Sequence, residues 1–247
     1  LGFITQQQYN DAMTIPVEAR MYGAAVELNA PYVAEMVRRE MLSRYGEETY
    51  TAGFQVVTSL DSRLQKAANY ALRNGLLEFT RRRGYRGPIT TIELPPELPG
   101  LEIAEWPAET LEVLDQYAPG GLSVALVTQV NDNNSAEIVF RDGTPATIPW
   151  RGISWAKPFI DRETTGPAPE TAAEVLTAGD VIYVMPTSAG FWALAQVPEA
   201  QGSIVSVDPE DAAITSLVGG FDFATTKFNR ATQAFRQPGS SFKPFIY

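Results

Sequence analysis

Histidine and cysteine are both absent from this 247-residue chain. Without histidine no Ser-His-Asp triad and no imidazole metal site can be assembled. Without cysteine there are no disulfides and no thiolate ligands, so neither a metal nor a cofactor is expected. Lysine is scarce, and basic residues are outnumbered by acidic ones, 19 to 29, for a net charge of −10. Nucleic acid is therefore not an expected partner, because phosphate binding needs clustered Lys and Arg. No run of eighteen apolar residues occurs and no signal peptide opens the chain, so any membrane anchor is expected outside this sequence. Apolar residues make up 45% of the chain, enough for the cores of one large or two small domains.

What is present is concentrated at the end, in Arg236-Gln-Pro-Gly-Ser240-Ser241-Phe-Lys243-Pro244-Phe-Ile-Tyr247. Ser240 and Lys243 stand at i and i+3, one above the other on a helix face, so the amine can reach the hydroxyl. That is the spacing of a serine nucleophile activated by a lysine. Pro238-Gly239 breaks whatever precedes, serine favours a helix start, and Pro244 is tolerated only near a first turn. Ser241 is excluded as the lysine-paired serine because Pro244 stands three residues on. A second match, Ser154-Trp-Ala-Lys157, has no turn before it and reads as coincidence, since roughly 0.2 chance matches are expected at this composition. On local evidence alone the competing reading of Ser240 is a helix cap beside a solvated lysine.

Pro31 to Tyr45 carries Val33, Met36, Val37, Met41 and Tyr45 at helical spacing, with Gly46 as a stop. Gly53 to Leu60 is β-rich. Asp61 then caps a long helix whose apolar face is expected to include Leu64, Ala68, Ala71, Leu72 and Phe79. Its end, Arg81-Arg82-Arg83, would suit an anion, but cations are favoured at a helix C-terminus anyway; a solvated helix end is expected. Residues 88–120 read as proline-rich loops. Short strands follow at Val124–Val130, Ala136–Phe140, Thr144–Ile148, Val181–Met185 and Phe191–Val197, which suggests a small barrel of the OB type. Trp150, Trp155, Phe191 and Trp192 would make a ligand platform if exposed, but such residues are more often core. Residues 203–208 and 213–218 pair across Asp208-Pro209-Glu210-Asp211, and the Ser240 helix is expected to pack on that hairpin.

The stretch from Gln201 to Phe223, with Phe228-Asn229-Arg230 and Arg236-Gln-Pro-Gly-Ser240, resembles the opening of the transpeptidase domain of the class A (bifunctional) penicillin-binding proteins of Gram-negative bacteria. A looser likeness runs through Tyr50-Thr-Ala-Gly-Phe-Gln-Val-Val-Thr-Ser-Leu-Asp61, and Leu1 to Met13 resembles the tail of their glycosyltransferase domain. One departure is Ala212, where the family usually carries glycine. The resemblance implies a mixed α/β, multi-domain fragment: a glycosyltransferase tail (1–30), a helical linker (31–87), an inserted OB-like β-barrel (88–200) and the first hairpin and helix of a transpeptidase α/β domain (201–247). It implies Ser240 and Lys243 as catalytic residues of a D-Ala-D-Ala transpeptidase. The S-x-N and K-T-G elements that complete such a site, and the glycosyltransferase glutamates, would lie outside this sequence. Implied partners are peptidoglycan stem peptides and a lipid-linked precursor for the parent, β-lactams as covalent inhibitors, and a protein regulator at the OB-like part. The implied location is the periplasmic face of the inner membrane. The alternative from a different class is a non-catalytic interaction module.

Overall fold

The computed structural model describes residues 5–7, 9–10, 26–94 and 106–246. The expected glycosyltransferase tail at 1–30 falls largely outside them. The first helix, α1 (Pro31–Tyr45), starts on a proline already set for helical φ and stops at Gly46, whose φ of 57° is left-handed. The second, α2 (Ser62–Arg82), is capped by Asp61, whose carboxylate accepts from the N–H groups of Arg63 and Leu64.

The buried stripe of α2 differs from the expected one. Gln65, Ala68, Leu72, Leu77 and Thr80 are buried, whereas Leu64 is 45% exposed and Phe79 37%. A polar residue at the centre of the buried face hides that face from a hydrophobicity pattern. The reason is geometric: the Gln65 amide donates to the Leu217 carbonyl at 3.0 Å and accepts from the Leu217 N–H at 2.9 Å. Its side chain thus takes the place of a neighbouring strand.

Eight strands follow, β1 (Thr90–Thr91), β2 (Ser123–Val130), β3 (Ala136–Val139), β4 (Pro145–Ile148), β5 (Asp180–Pro186), β6 (Trp192–Ala195), β7 (Ile204–Val207) and β8 (Ile214–Val218). The first six form one antiparallel sheet in which β5 is central. β2 lies along one side of β5, while β1 and β6 share the other side at opposite ends. Alternate residues of β2 serve two cores. Ala125 and Val127 join Ile138, Ile148, Ile182 and Leu194 on one face; Val124 and Leu126 join Val139, Val181, Trp106 and Leu114 on the other. That double burial explains the unbroken apolar run of β2. Each fully buried Leu or Ile contributes about 1.5–3 kcal/mol.

The second core exists because of a helix the sequence did not announce. Within the expected loop at 88–120, α3 (Ala108–Leu114) buries Thr110 and Leu114; at seven residues it is too short to leave a periodic signal among prolines. The short helix α4 (Trp150–Ile153) fills the seam between β4 and β6, where no ladder closes the sheet among the described residues. A Cβ on Gly152 would meet the Trp192 carbonyl at 2.8 Å and Ile148 Cγ2 at 2.9 Å, so glycine lets the seam close.

Gly53 to Leu60 forms no strand. It lacks a ladder partner, and a single extended segment does not persist on propensity alone. Among the described residues Ser59 Oγ donates to the Ile214 carbonyl at 2.8 Å, and just past the segment the Asp61 N–H donates to the Thr215 carbonyl at 2.9 Å. The expected hairpin is present as β7–β8, with Val205 opposite Leu217. Ala212 in its turn has φ 60°, a left-handed conformation that glycine adopts without strain.

Candidate functional site

The segment that carries Ser240 leaves β8 through Gly219-Gly220. A Cβ on Gly219 would meet Asn229 Oδ1 at 2.5 Å, and one on Gly220 would meet the Tyr32 hydroxyl at 2.5 Å. Both glycines are therefore required for α1 and the Asn229–Arg230 corner to close on the strand end. Asn229 accepts from the Ala231 N–H and caps α5 (Arg230–Gln233), while the Arg230 N–H bonds the Gly219 carbonyl at 3.1 Å. Asp222, also at this exit, accepts from the Tyr117 hydroxyl and from the N–H groups of Gly120, Ala224 and Thr225 at 2.9–3.1 Å. Burial alone would raise its pKa, but those hydrogen bonds to the charged form outweigh it and hold the carboxyl below its ordinary value. This carboxylate ties the turn before β2 to the strand that leads to Ser240.

Beyond α5 the chain runs exposed to Pro238, and Gly239 turns it at φ 53°. Gly239–Phe245 is a 3₁₀ turn, not an α-helix. In a 3₁₀ helix side chains at i and i+3 eclipse, which brings Ser240 and Lys243 onto one edge. The same turn displays that spacing directly, since the Phe242 and Phe245 rings lie 5.5 Å apart. Ser240 and Lys243 are both exposed, and among the described residues their side chains make no hydrogen bond. The expected packing of this segment on the β7–β8 hairpin does not occur among the described residues: every residue from 239 to 246 is exposed. Seven residues with an internal proline present too narrow an apolar face to dock by themselves.

The second serine–lysine match dissolves in three dimensions. Ser154 is the C-cap of α4, and Lys157 lies past that end, its carbonyl accepting from the Tyr85 N–H at 2.7 Å. The four aromatics weighed as a platform are partly buried. Trp150, Trp155 and Trp192 pack on the main core, Trp155 Nε1 donates to the Leu194 carbonyl at 3.2 Å, and Phe191 lies 3.9 Å below the Arg151 guanidinium. No group of three or more Asp and Glu residues that could hold a metal gathers among the described residues.

Residues 85–200 match the family model described as Penicillin-binding protein OB-like domain. The chain is 45% identical over its whole length to Penicillin-binding protein 1A of Pseudomonas aeruginosa and 39% identical to that of Escherichia coli. The chain is homologous to class A penicillin-binding proteins. It spans 29% and 28% of the length of those two relatives. A crystal structure of Penicillin-Binding Protein 1A from Haemophilus influenzae superposes with a TM-score of 0.75 at 31% identity, covering 99% of this chain and 33% of that one. The OB-like match contains the whole six-stranded sheet, from Thr90 to Ala195.

Proposed function

We propose that this chain is part of a bifunctional peptidoglycan synthase in which Ser240 is the acyl-accepting nucleophile of the transpeptidase and Lys243 its base. The observation that carries the reading is the eclipsed Ser240–Lys243 pair on the turn after Gly239, in a chain homologous throughout to class A penicillin-binding proteins. In domain terms, 1–30 is the end of a glycosyltransferase domain, 31–87 a linker, 88–200 the OB-like domain and 201–247 the start of the transpeptidase domain. The parent polymerises glycan strands with the upstream domain and works at the periplasmic face of the inner membrane. Among the described residues no helix is long and apolar enough to cross a membrane.

Ser240 Oγ attacks the penultimate carbonyl of a stem peptide ending in D-Ala-D-Ala, and its proton passes to the Lys243 amine. The amide C–N bond breaks, the terminal D-alanine takes the proton, and an ester remains on Ser240. The amine of a neighbouring stem peptide then attacks that ester, forms the cross-link and returns the serine. The Ser240 N–H supplies one donor to the oxyanion. A β-lactam acylates the same oxygen because its strained amide imitates the donor.

The test is labelling of the whole parent protein with a fluorescent penicillin. Ser240→Ala abolishes the label and Ser241→Ala leaves it substantially intact. An adduct mapped to Ser241 or Ser154 refutes the assignment. A second reading, a binding role for the OB-like domain, is favoured by a groove of about 660 Å³ beside Leu114, Phe140, Pro145 and Trp192, which suits an apolar segment of a protein regulator. Ala146→Arg, at the groove wall, should then abolish regulator binding without changing penicillin labelling; unchanged binding refutes that reading.

A further inference from the structure

Seven of the 19 basic residues lie between positions 63 and 86, against one acidic residue, Glu78, in a chain of net charge −10. The end of this stretch is not the solvated helix end expected from Arg81-Arg82-Arg83. Only Arg82 behaves that way, in an exposed i,i+4 pair with Glu78. Arg81 lies over the Trp155 ring at 5.6 Å. Arg83 lies over the Phe79 ring at 5.1 Å and donates to the Arg162 carbonyl. Arg86 lies over the Phe159 ring at 4.2 Å and reaches Glu199 at 3.2 Å.

Arg83, Arg86 and Arg162 converge on one recess of about 270 Å³ walled by Phe79 and Phe159. Glu199 is the one carboxylate lining it, so three guanidiniums against one carboxylate leave a local charge of +2. The nearby Asp161 carboxylate is spent on the N–H groups of Glu163 and Thr164. The Arg162 guanidinium has no hydrogen bond or ion pair among the described residues. The dipole of α2 favours cations in its last turn, but Arg86 and Arg162 lie outside that turn, so it does not account for the convergence. Stacking on Phe79 and Phe159 holds two of the guanidinium forks in place, which reduces the ordering cost of binding an oxyanion.

We infer that this recess binds a carboxylate of a protein partner, carried by an acidic residue next to an apolar side chain. The carboxylate lies between Arg162 and Arg86, and the apolar neighbour lies on Phe79, which is 37% exposed. The volume is just under the range of ordinary ligand pockets, about 300–1,000 Å³, and admits one or two side chains. Glu199, whose side chain is 72% exposed, already shows a carboxylate on Arg86 and is an internal competitor that the partner displaces. The site is independent of Ser240.

The experiment uses the ¹⁵N-labelled 247-residue chain, reading the arginine Nε–Hε signals during titration with acetyl-Leu-Glu-Leu-amide. Those of Arg83, Arg86 and Arg162 are expected to shift together, and the neutral Gln analogue should bind at least about tenfold more weakly, since it loses a charge-assisted pair. Arg162→Ala, which removes no side-chain hydrogen bond or ion pair among the described residues, should weaken the acidic peptide about five- to tenfold. Glu199→Gln should tighten it about two- to fivefold by freeing Arg86. Unmoved arginine signals, equal binding of the Gln peptide, or weaker binding after Glu199→Gln would overturn the inference. Inorganic phosphate binding as tightly as the peptide would also overturn it, by reducing the recess to a simple anion site.

Discussion

Replacing Gln65 by methionine keeps the length and shape of the side chain but removes its donor and acceptor. Gln65 is 1% exposed and satisfies both main-chain groups of Leu217, itself 1% exposed. Each group left unpaired costs about 1–3 kcal/mol, so the pair costs about 2–6. The better burial of methionine returns about 1–2 kcal/mol, leaving a net loss of about 1–4 kcal/mol. Every tryptophan lies between residues 106 and 192, so tryptophan fluorescence reports the OB-like sheet and misses the damage. Hydrogen exchange followed by mass spectrometry reports it directly: amides of β7, β8 and the first turns of α2 should exchange roughly five- to a thousandfold faster. The β2 and β5 amides, and the denaturation midpoint read by tryptophan, should stay as they are. Unchanged exchange at Leu217 in Gln65→Met would refute the claim that one side chain stands in for a strand, and equal acceleration in β2 and β5 would refute its locality.

The turn at Ala212 offers a stabilising change: Ala212→Gly relieves the left-handed strain of about 1–2 kcal/mol but loosens the unfolded chain, for a net gain of about 0.5–1 kcal/mol in β7–β8 protection; unchanged or faster exchange in the variant would contradict it. Asp222 carries a pH dependence whose sign follows from its lowered pKa. Its contribution is complete above the unfolded value of about 4 and is lost as pH falls through the folded value. Exchange at 117–122 and 221–225, corrected for its intrinsic rate, should therefore hold steady from neutral pH down to about 4 and accelerate as pH falls below that, and Asp222→Ala should remove that dependence; a pH-independent wild type would refute it. The 247-residue chain alone should take up no stoichiometric penicillin label over hours, because Ser240 and Lys243 stand exposed and, among the described residues, without a side-chain hydrogen bond, and losing even one oxyanion donor costs about a hundred- to a thousandfold in rate. Rapid saturable labelling of that chain would mean the site is far more local than this.

Local chemistry was legible wherever it decides structure within a few residues. Pro31 and Gly46 bound α1, Asp61 caps α2, and the Asp208–Asp211 turn joins β7 to β8, because each acts through its own φ/ψ or its own hydrogen bonds. The Ser240–Lys243 spacing belongs to the same class, since a single turn of either helix type puts i beside i+3. Contacts distant in sequence were decided only by tertiary structure. Gln65 faces inward because Leu217, 152 residues on, needs both its main-chain groups satisfied; no pattern of apolar residues encodes that. Gly53–Leu60 had the composition of a strand but no ladder partner, and α3 formed inside an expected loop because β2 offered it an apolar outer face. Arg83, Arg86 and Arg162 are dispersed in sequence, and their convergence depends on the Tyr85 N–H and carbonyl pairing with Lys157 and Phe159. Sequence by itself thus determined the turns, the caps and the Ser240–Lys243 spacing, which are matters of covalent geometry and nearest neighbours. Which face of a helix is buried, and which charges meet, depended on backbone groups far along the chain that had to find partners out of water.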